Sequence, residues 1–147
     1  MEAEKRRRRE REGKYMLENL SLVFVGGGFG AVCRYLVTTH VGARFGTFFP
    51  WGTLVVNTVG SFLMGFIMGM LLLLFERMGT GISEYARLLL TVGFLGGLTT
   101  FSSFSMETLT LLRGGSYFYA FSNIGSNIVL GLLAAFLGVL LAARLSA

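Results

Sequence analysis

Carboxamide side chains stand at helical spacing in a sequence that is otherwise almost entirely apolar. Tyr119, Asn123 and Asn127 follow one another at intervals of four residues, which aligns a phenol and two carboxamides on one helix face. Asn57 lies alone in another apolar run. A buried amide in a bilayer is costly unless it is hydrogen-bonded. These residues therefore either hold helices together or supply N–H donors that replace the hydration shell of an anion, and both interpretations stay open.

Two aromatic rings with hydroxyl groups between them form a second candidate. In residues 101–107, Phe-Ser-Ser-Phe-Ser-Met-Glu, the rings of Phe101 and Phe104 are one helical turn apart. The edge of a phenyl ring carries positive quadrupole charge, so rings presented edge-on can contact an anion without a cation that would trap it. The same spacing also fits an ordinary packing pair.

Directly before these rings, three glycines and two threonines fall within residues 93–100. Regular helix is weakest there, and we expect it to be interrupted. A break at membrane depth is tolerated only where the freed carbonyls find partners in protein or around an ion. The carbonyls of Gly96 and Thr99 could coordinate a small cation such as Na⁺. A glycine kink satisfied by threonine hydroxyls is the alternative.

Two charged residues, Arg34 and Glu107, lie inside apolar stretches, where ionisable side chains are functional candidates. With the amino terminus on the lower side, Arg34 is about two thirds of the way up its helix and Glu107 is near the top of another. We hypothesise that they form an ion pair whose role is mainly structural.

Four apolar stretches are long enough to span a membrane, at about 20–40, 51–75, 88–112 and 117–143. They predict an all-α membrane protein with four transmembrane helices, the third of them broken, and residues 20–147 would form one transmembrane domain. Small residues spaced four apart predict close helix packing. They are Gly26 and Gly30; Ser61, Gly65 and Gly69; and Ala134, Gly138 and Ala142.

Residues 1–19 form a charged tail in which seven basic residues alternate with five glutamates. We expect a frayed or surface-lying helix next to anionic lipid on the cytoplasmic side, rather than a nucleic-acid-binding segment. Outside the tail, basic residues are nearly balanced between the two sides of the membrane. The polar residues of the spans lie mainly in the upper half of the predicted bundle, away from the amino terminus. Both features predict an antiparallel dimer, in which an inverted second copy completes a polar path.

The composition excludes several classes of function. The chain is 53% hydrophobic and 14% charged, and it contains one cysteine, one histidine and no aspartate. Cys33 and His40 are too few for an internal disulfide, a cluster of soft metal ligands or a conventional nucleophile system. We therefore do not expect an enzyme.

Taken together, four stretches resemble the Fluc-type fluoride channels, the CrcB family, from about Leu22 to Leu141. They are residues 26–35, 52–62, 93–107 and 123–131, of which the third is the most specific. The resemblance implies an antiparallel, dual-topology homodimer in the cell membrane that lets fluoride leave passively and lowers its toxicity. It also implies a structural Na⁺ at the dimer interface, held by the carbonyls of Gly96 and Thr99. The ion pathway that it implies is lined by Asn57, Phe101, Phe104, Asn123, Asn127 and Tyr119.

One departure from the family and two other classes of protein keep alternatives open. Family members commonly start almost at the first helix, and a basic tail biases insertion, so an oppositely oriented homologue is the alternative to a second copy. A small proton-coupled multidrug exporter is also a four-helix, dual-topology dimer, but it needs a titratable acid, typically in the first helix, where this chain has Arg34. The small residues spaced four apart, taken alone, would also allow a membrane protein that forms an assembly but transports no substrate.

Overall fold

The structure, a computed structural model, describes residues 1–78 and 84–145, and the described residues are helical apart from short connections. Residues 79–83, in the expected connection between the second and third spans, lie outside the described part, as do the last two. The helices are α1 (Glu2–Phe45), α2 (Trp51–Met78), α3 (residues 84–98), α4 (Phe101–Arg113) and α5 (Tyr117–Leu145).

Among the residues that the structure describes, four helical stretches are long and apolar enough to cross a membrane, and α3 and α4 together make the third. The prediction of an all-α membrane protein with four spans and a broken third helix is thereby confirmed. The spans are Glu4–Phe45, Trp51–Leu72, Glu84–Arg113 and Tyr117–Leu145.

α1 is a single helix of 44 residues that includes the charged tail. At 1.5 Å per residue it is about 66 Å long, roughly twice the thickness of a bilayer core. Ion pairs at i,i+4 spacing join three basic residues of the tail to glutamates: Arg6 to Glu10 at 3.1 Å, Arg8 to Glu12 at 3.6 Å and Lys14 to Glu18 at 4.0 Å. The tail therefore continues the first span as helix.

The helices pack as two pairs, α1 along α3 and α2 along α5. Small residues form both contact surfaces, as expected from their spacing. A Cβ atom added to Gly30 would overlap the carbonyl oxygen of Phe94 in α3. A Cβ atom added to Gly138 would overlap the carbonyl oxygen of Phe62 in α2. Because the backbones approach so closely, neither position has room for a side chain.

Large apolar side chains face outward in greater number than is typical of a water-soluble monomer. Phe24 on α1 is 81% exposed and Phe118 on α5 is 78% exposed. The buried apolar centre is small and consists of Val56, Leu95 and Leu98. This distribution fits a bundle whose surroundings are lipid, so that packing between helices, rather than burial of apolar area from water, holds it together.

We predict that Gly138→Ala lowers the thermal unfolding midpoint in detergent, because the new methyl group must push α5 away from α2. Overpacking of this kind costs about 1–3 kcal/mol. Gly125→Ala on the same helix is the matched control, since a Cβ atom there meets nothing within 4 Å. Removing a helical glycine should leave that variant unchanged or more stable by up to about 1 kcal/mol. Equal midpoints for the two variants would contradict the close approach.

Candidate functional site

The third span is interrupted at two residues, Thr99 and Thr100, whose backbones are extended, with φ/ψ of −78°/155° and −151°/115°. Gly96 is still helical at −63°/−35°, so the break lies at the end of the expected segment and after its glycines. Two of those glycines, Gly93 and Gly97, serve packing instead: a Cβ atom on Gly97 would overlap the carbonyl oxygen of Gly27 in α1. Thr100 then starts α4 as its N-cap, accepting a hydrogen bond from the Ser103 N–H at 3.1 Å.

The helix before the break is π-helical over Arg87–Leu95, a feature that the sequence did not indicate. In a π-helix each N–H donates to the carbonyl five residues earlier, and such segments are frequent at functional sites. The π-helical segment ends at Leu95, shortly before the break at Thr99 and Thr100.

Asn57 satisfies both peptide groups of Thr100. The N–H of Thr100 donates to Asn57 Oδ1 at 2.9 Å, and Asn57 Nδ2 donates to the carbonyl oxygen of Thr100 at 3.2 Å. In the bilayer core no water is present to form hydrogen bonds with these backbone groups. The carboxamide of α2 therefore replaces the acceptor that the Thr100 N–H would have in an unbroken helix, and it adds a donor to the Thr100 carbonyl.

A chain of side-chain hydrogen bonds continues from Asn57 into α5 and back to α4. Asn57 Nδ2 also donates to Asn127 Oδ1 at 3.0 Å, and Asn127 Nδ2 donates to Asn123 Oδ1 at 2.9 Å. Asn123 Nδ2 donates to the hydroxyl of Thr108 at 2.9 Å, which in turn donates to the Phe104 carbonyl at 2.7 Å. We call Asn57, Asn127 and Asn123 the carboxamide chain.

A groove of about 380 Å³ opens beside the break, and four of the residues expected on the ion pathway line it. The rings of Phe101 and Phe104 have their centroids 5.5 Å apart and are tilted by 51°. Phe101 is 79% exposed on the surface of the single chain. The lining residues are Asn57, Gly60, Ser61, Met64, Thr99, Thr100, Phe101, Phe104, Asn127, Ile128 and Ala135.

The two other expected pathway residues lie elsewhere. Asn123 is fully buried behind Asn127 and is not part of the groove lining. Tyr119 belongs to an aromatic cluster at the α1–α2 connection, with its ring centroid 5.7 Å from that of Phe48 and 6.4 Å from that of Phe49. Tyr119, Asn123 and Asn127 thus share one helix face but have different neighbours. They lie in the aromatic cluster, in the buried interior and at the groove, respectively.

The break releases the two carbonyls that were expected to hold a cation. In an uninterrupted helix the Gly96 carbonyl would accept from the Thr100 N–H, which is bonded to Asn57 instead. The Thr99 carbonyl would accept from the Ser103 N–H, which is bonded to the Thr100 hydroxyl. Within the part of the chain that the structure describes, no cluster of three His, Cys, Asp or Glu side chains offers a metal site. The carbonyls of Gly96 and Thr99 are oxygen atoms that the break leaves without a helical N–H partner.

The ion pair expected between Arg34 and Glu107 does not form within the chain. Arg34 Nη1 donates to the Thr99 carbonyl at 3.4 Å. Glu107 lies eight residues beyond Thr99, about 12 Å further along the span, which is too far for an ion pair with a guanidinium at the break. Glu107 Oε1 instead accepts from the hydroxyl of Thr53 at 2.7 Å.

Glu107 and Thr53 line a second cavity, of about 350 Å³, near the ends of α1 and α4. The other carboxylate oxygen, Oε2, is buried and has no hydrogen-bond partner among the described residues. Sequence reasoning missed both threonines that hold the predicted residues, Thr53 and Thr108. Nothing in their sequence context marks them, whereas Thr100 carries an N-cap signal, since a threonine precedes a new helical turn.

The break also exposes two helix ends of opposite polarity at the same depth. The last carbonyls of α3 form a partly negative end that favours a cation. The first N–H groups of α4, at Phe101 and beyond, form a partly positive end that favours an anion beside the groove. A single interruption thus provides an environment for both signs of charge.

Comparisons with known proteins agree on one family. A family model described as CrcB-like protein, Camphor Resistance (CrcB), matches residues 21–139. A fluoride-specific ion channel FluC of Pyrococcus abyssi is 41% identical over 128 residues, which are 87% of this chain and 98% of the relative. Proteins of the same name share 44% identity in Shewanella loihica (83% of this chain, 94% of the relative) and 46% in Pyrococcus horikoshii (85% and 96%).

We predict that Asn57→Leu destabilises the fold, because the N–H of Thr100 loses its acceptor in a medium without water. A buried N–H without a partner costs about 1–3 kcal/mol, so the loss should be about 2 kcal/mol. Thr58→Val is the matched control on α2, since the buried hydroxyl of Thr58 has no partner among the described residues. Thermal unfolding in detergent measures both variants. A midpoint for Asn57→Leu that equals that of Thr58→Val would show that Thr100 does not depend on Asn57.

Proposed function

The chain belongs to the CrcB family, and from this premise we propose that it is a fluoride-specific channel that lets fluoride leave the cell passively across the plasma membrane. It is a multi-pass membrane protein of a channel family rather than of an enzyme family. The observation that carries the proposal is the groove at the helix break. There two carboxamides, two phenyl rings and the positive end of α4 meet at membrane depth.

The groove offers fluoride what a small, strongly hydrated anion needs. Its water shell must be replaced by short hydrogen bonds, and the N–H groups of Asn57 and the hydroxyls near the break are suitable donors. The positive ring edges of Phe101 and Phe104 add attraction and narrow the passage against larger halides. None of the described lining residues is a lysine or arginine, so no cationic side chain of the groove lining would bind the anion directly.

A structural Na⁺ held by the Gly96 and Thr99 carbonyls is part of the proposal. Hard cations take oxygen ligands, and the break releases these two carbonyls from helical bonding. Arg34 donates to the Thr99 carbonyl at 3.4 Å, which leaves that oxygen a second lone pair. Two oxygens from one chain are too few for a cation, and in this proposal a second chain supplies further ligands. The bound ion would offset the carbonyl dipoles and join the two chains.

A second, inverted chain completes the pathway in this proposal. Phe101 and Gly96 are exposed on the surface of the single chain, so the groove and the carbonyls face a prospective partner. The polar residues of the groove lie on one half of the bundle, and an antiparallel copy supplies the other half.

The charged tail bears on which chain that partner is. Ten basic residues lie on the amino-terminal side of the membrane and two on the opposite side, and glutamates do little to offset this orientation bias. The partner is a second copy if enough chains still insert inverted. It is an oppositely oriented homologue if they do not. The ten are the seven of the tail with Arg77, Arg87 and Arg144, and the two are Arg44 and Arg113.

We predict that liposomes containing the purified chain release fluoride but retain chloride, measured with ion-selective electrodes. Phe101→Ile or Phe104→Ile should abolish fluoride release while the protein stays folded, because an aliphatic side chain has no positive edge. Phe136→Ile is the control, since Phe136 is exposed on α5 outside the groove. Undiminished release from either groove variant would refute the role of the rings. Transport of an organic cation driven by a proton gradient, without fluoride release, would favour the exporter instead.

We predict that deleting residues 2–19 raises the fraction of chains inserted with the carboxyl terminus outside the cell. Paired reporters fused to that terminus, one active inside the cell and one outside, measure this fraction. A homodimer requires comparable signals from both sides for the full chain. A signal from one side only would exclude the homodimer and leave the inverted homologue as the partner.

A further inference from the structure

The carboxamide chain has a fixed direction. The Thr100 N–H can only donate and the Thr100 carbonyl can only accept, so Asn57 must present Oδ1 to the first and Nδ2 to the second. Asn127 Nδ2 donates to the backbone carbonyl of Asn123 at 3.0 Å, which likewise can only accept. Asn127 must therefore turn Oδ1 towards Asn57. Every amide orientation follows from the backbone groups at the two ends.

This direction leaves Asn57 with no N–H to spare. One of its two N–H bonds goes to the Thr100 carbonyl and the other to Asn127 Oδ1. An anion that is to accept from Asn57 must displace one of these two oxygens. Displacing the Thr100 carbonyl would undo the pairing that holds the helix break, whereas displacing Asn127 Oδ1 costs no backbone bond.

The bond that can be exchanged is also the one that an ion can reach. Asn57 and Asn127 both line the groove together with Phe101 and Phe104, while Asn123 is buried behind them. Asn123 accepts from Asn127 Nδ2 through its side-chain and backbone oxygens, at 2.9 and 3.0 Å. It thereby holds Asn127 at the groove wall.

We propose that Asn127 Oδ1 competes with fluoride for one N–H of Asn57, and that Asn123 is the positioning residue that keeps Asn127 in place. The proposal rests on the function proposed above and goes beyond it. When fluoride arrives it replaces Asn127 Oδ1 on Asn57 Nδ2, and when it leaves the oxygen returns. The N–H is satisfied throughout, so fluoride binds only as strongly as the difference between two acceptors allows.

Competition for this N–H would favour conduction, because it limits how tightly fluoride binds. A selective pore must bind its ion well enough to admit it and weakly enough to release it. Fluoride is a strong acceptor, and an N–H left without a partner in a membrane would hold it tightly. An oxygen that takes the N–H back shortens the time that fluoride stays.

The test is the effect of Asn127→Leu on fluoride affinity and on flux. Equilibrium dialysis of the purified full chain gives the fluoride dissociation constant, and efflux from liposomes gives the maximal rate. Removal of the competing oxygen should lower the dissociation constant about tenfold, from the usual net contribution of one hydrogen bond, and should slow maximal efflux. Asn19→Leu on α1 makes the same substitution outside the groove and should change neither quantity.

A change of the fluoride dissociation constant in the opposite direction would overturn the proposal. If Asn127 were itself a donor to fluoride, Asn127→Leu would raise the dissociation constant. A purely structural role would change stability but leave the constant of the folded protein unchanged. Asn127→Ala removes the same oxygen and replaces the leucine variant if that one does not fold. A wild-type chain that releases no fluoride would refute the proposed function itself, which distinguishes the two failures.

The unaltered chain offers a second measurement. It contains four asparagines, so ¹⁵N-asparagine labelling gives four pairs of side-chain N–H signals. Fluoride should shift the signals of Asn57 and Asn127 with one common midpoint, because one ion replaces the bond between them. A shift at Asn57 without one at Asn127 would contradict the exchange.

Discussion

The pairing of one side-chain amide with the N–H and the carbonyl of one residue is the constraint from which the rest of this bundle follows. A helix interrupted in a bilayer leaves N–H and carbonyl groups without partners, and no water is present to take them. Asn57 accepts from the Thr100 N–H, which the break leaves without a helical acceptor, and it donates to the Thr100 carbonyl. Because α2 supplies the amide, the break can form only where α2 packs against the third span. The polar groove, the orientation of the rings and the course of the carboxamide chain are all arranged around that contact.

Hydropathy and small-residue spacing predicted the four spans and their packing faces, because both signals are local and strong in a membrane protein. The break was predictable as a region of weak helix, but its position was not. Gly93, Gly96 and Gly97 looked like its cause, yet Gly93 and Gly97 serve close approach to α1. The break itself is set by Thr100 and Asn57, which are 43 residues apart. The π-helical turns before it have no signal in the sequence.

The candidate site shows the same division between local pattern and tertiary contact. Periodicity placed Asn123, Asn127 and Tyr119 on one face, but it could not show that Tyr119 packs on the rings of Phe48 and Phe49. Arg34 and Glu107 were paired because they were the charges inside the spans. The structure gives each a closer partner, a freed carbonyl and a threonine hydroxyl, neither of which can be recognised from charge alone.

The chemistry of the carboxamide chain also determines whether protons could leak along the proposed pathway. Water files and chains of carboxyl groups pass protons because each member can take up a proton on one side and give up another. An amide N–H does not ionise in this way, and the three carboxamides lock one another into a single orientation. A pathway walled by such amides and by phenyl rings can let a small anion through without becoming a proton wire. A cell could keep this protein permanently in its membrane and still maintain the proton gradient on which its ATP synthesis depends.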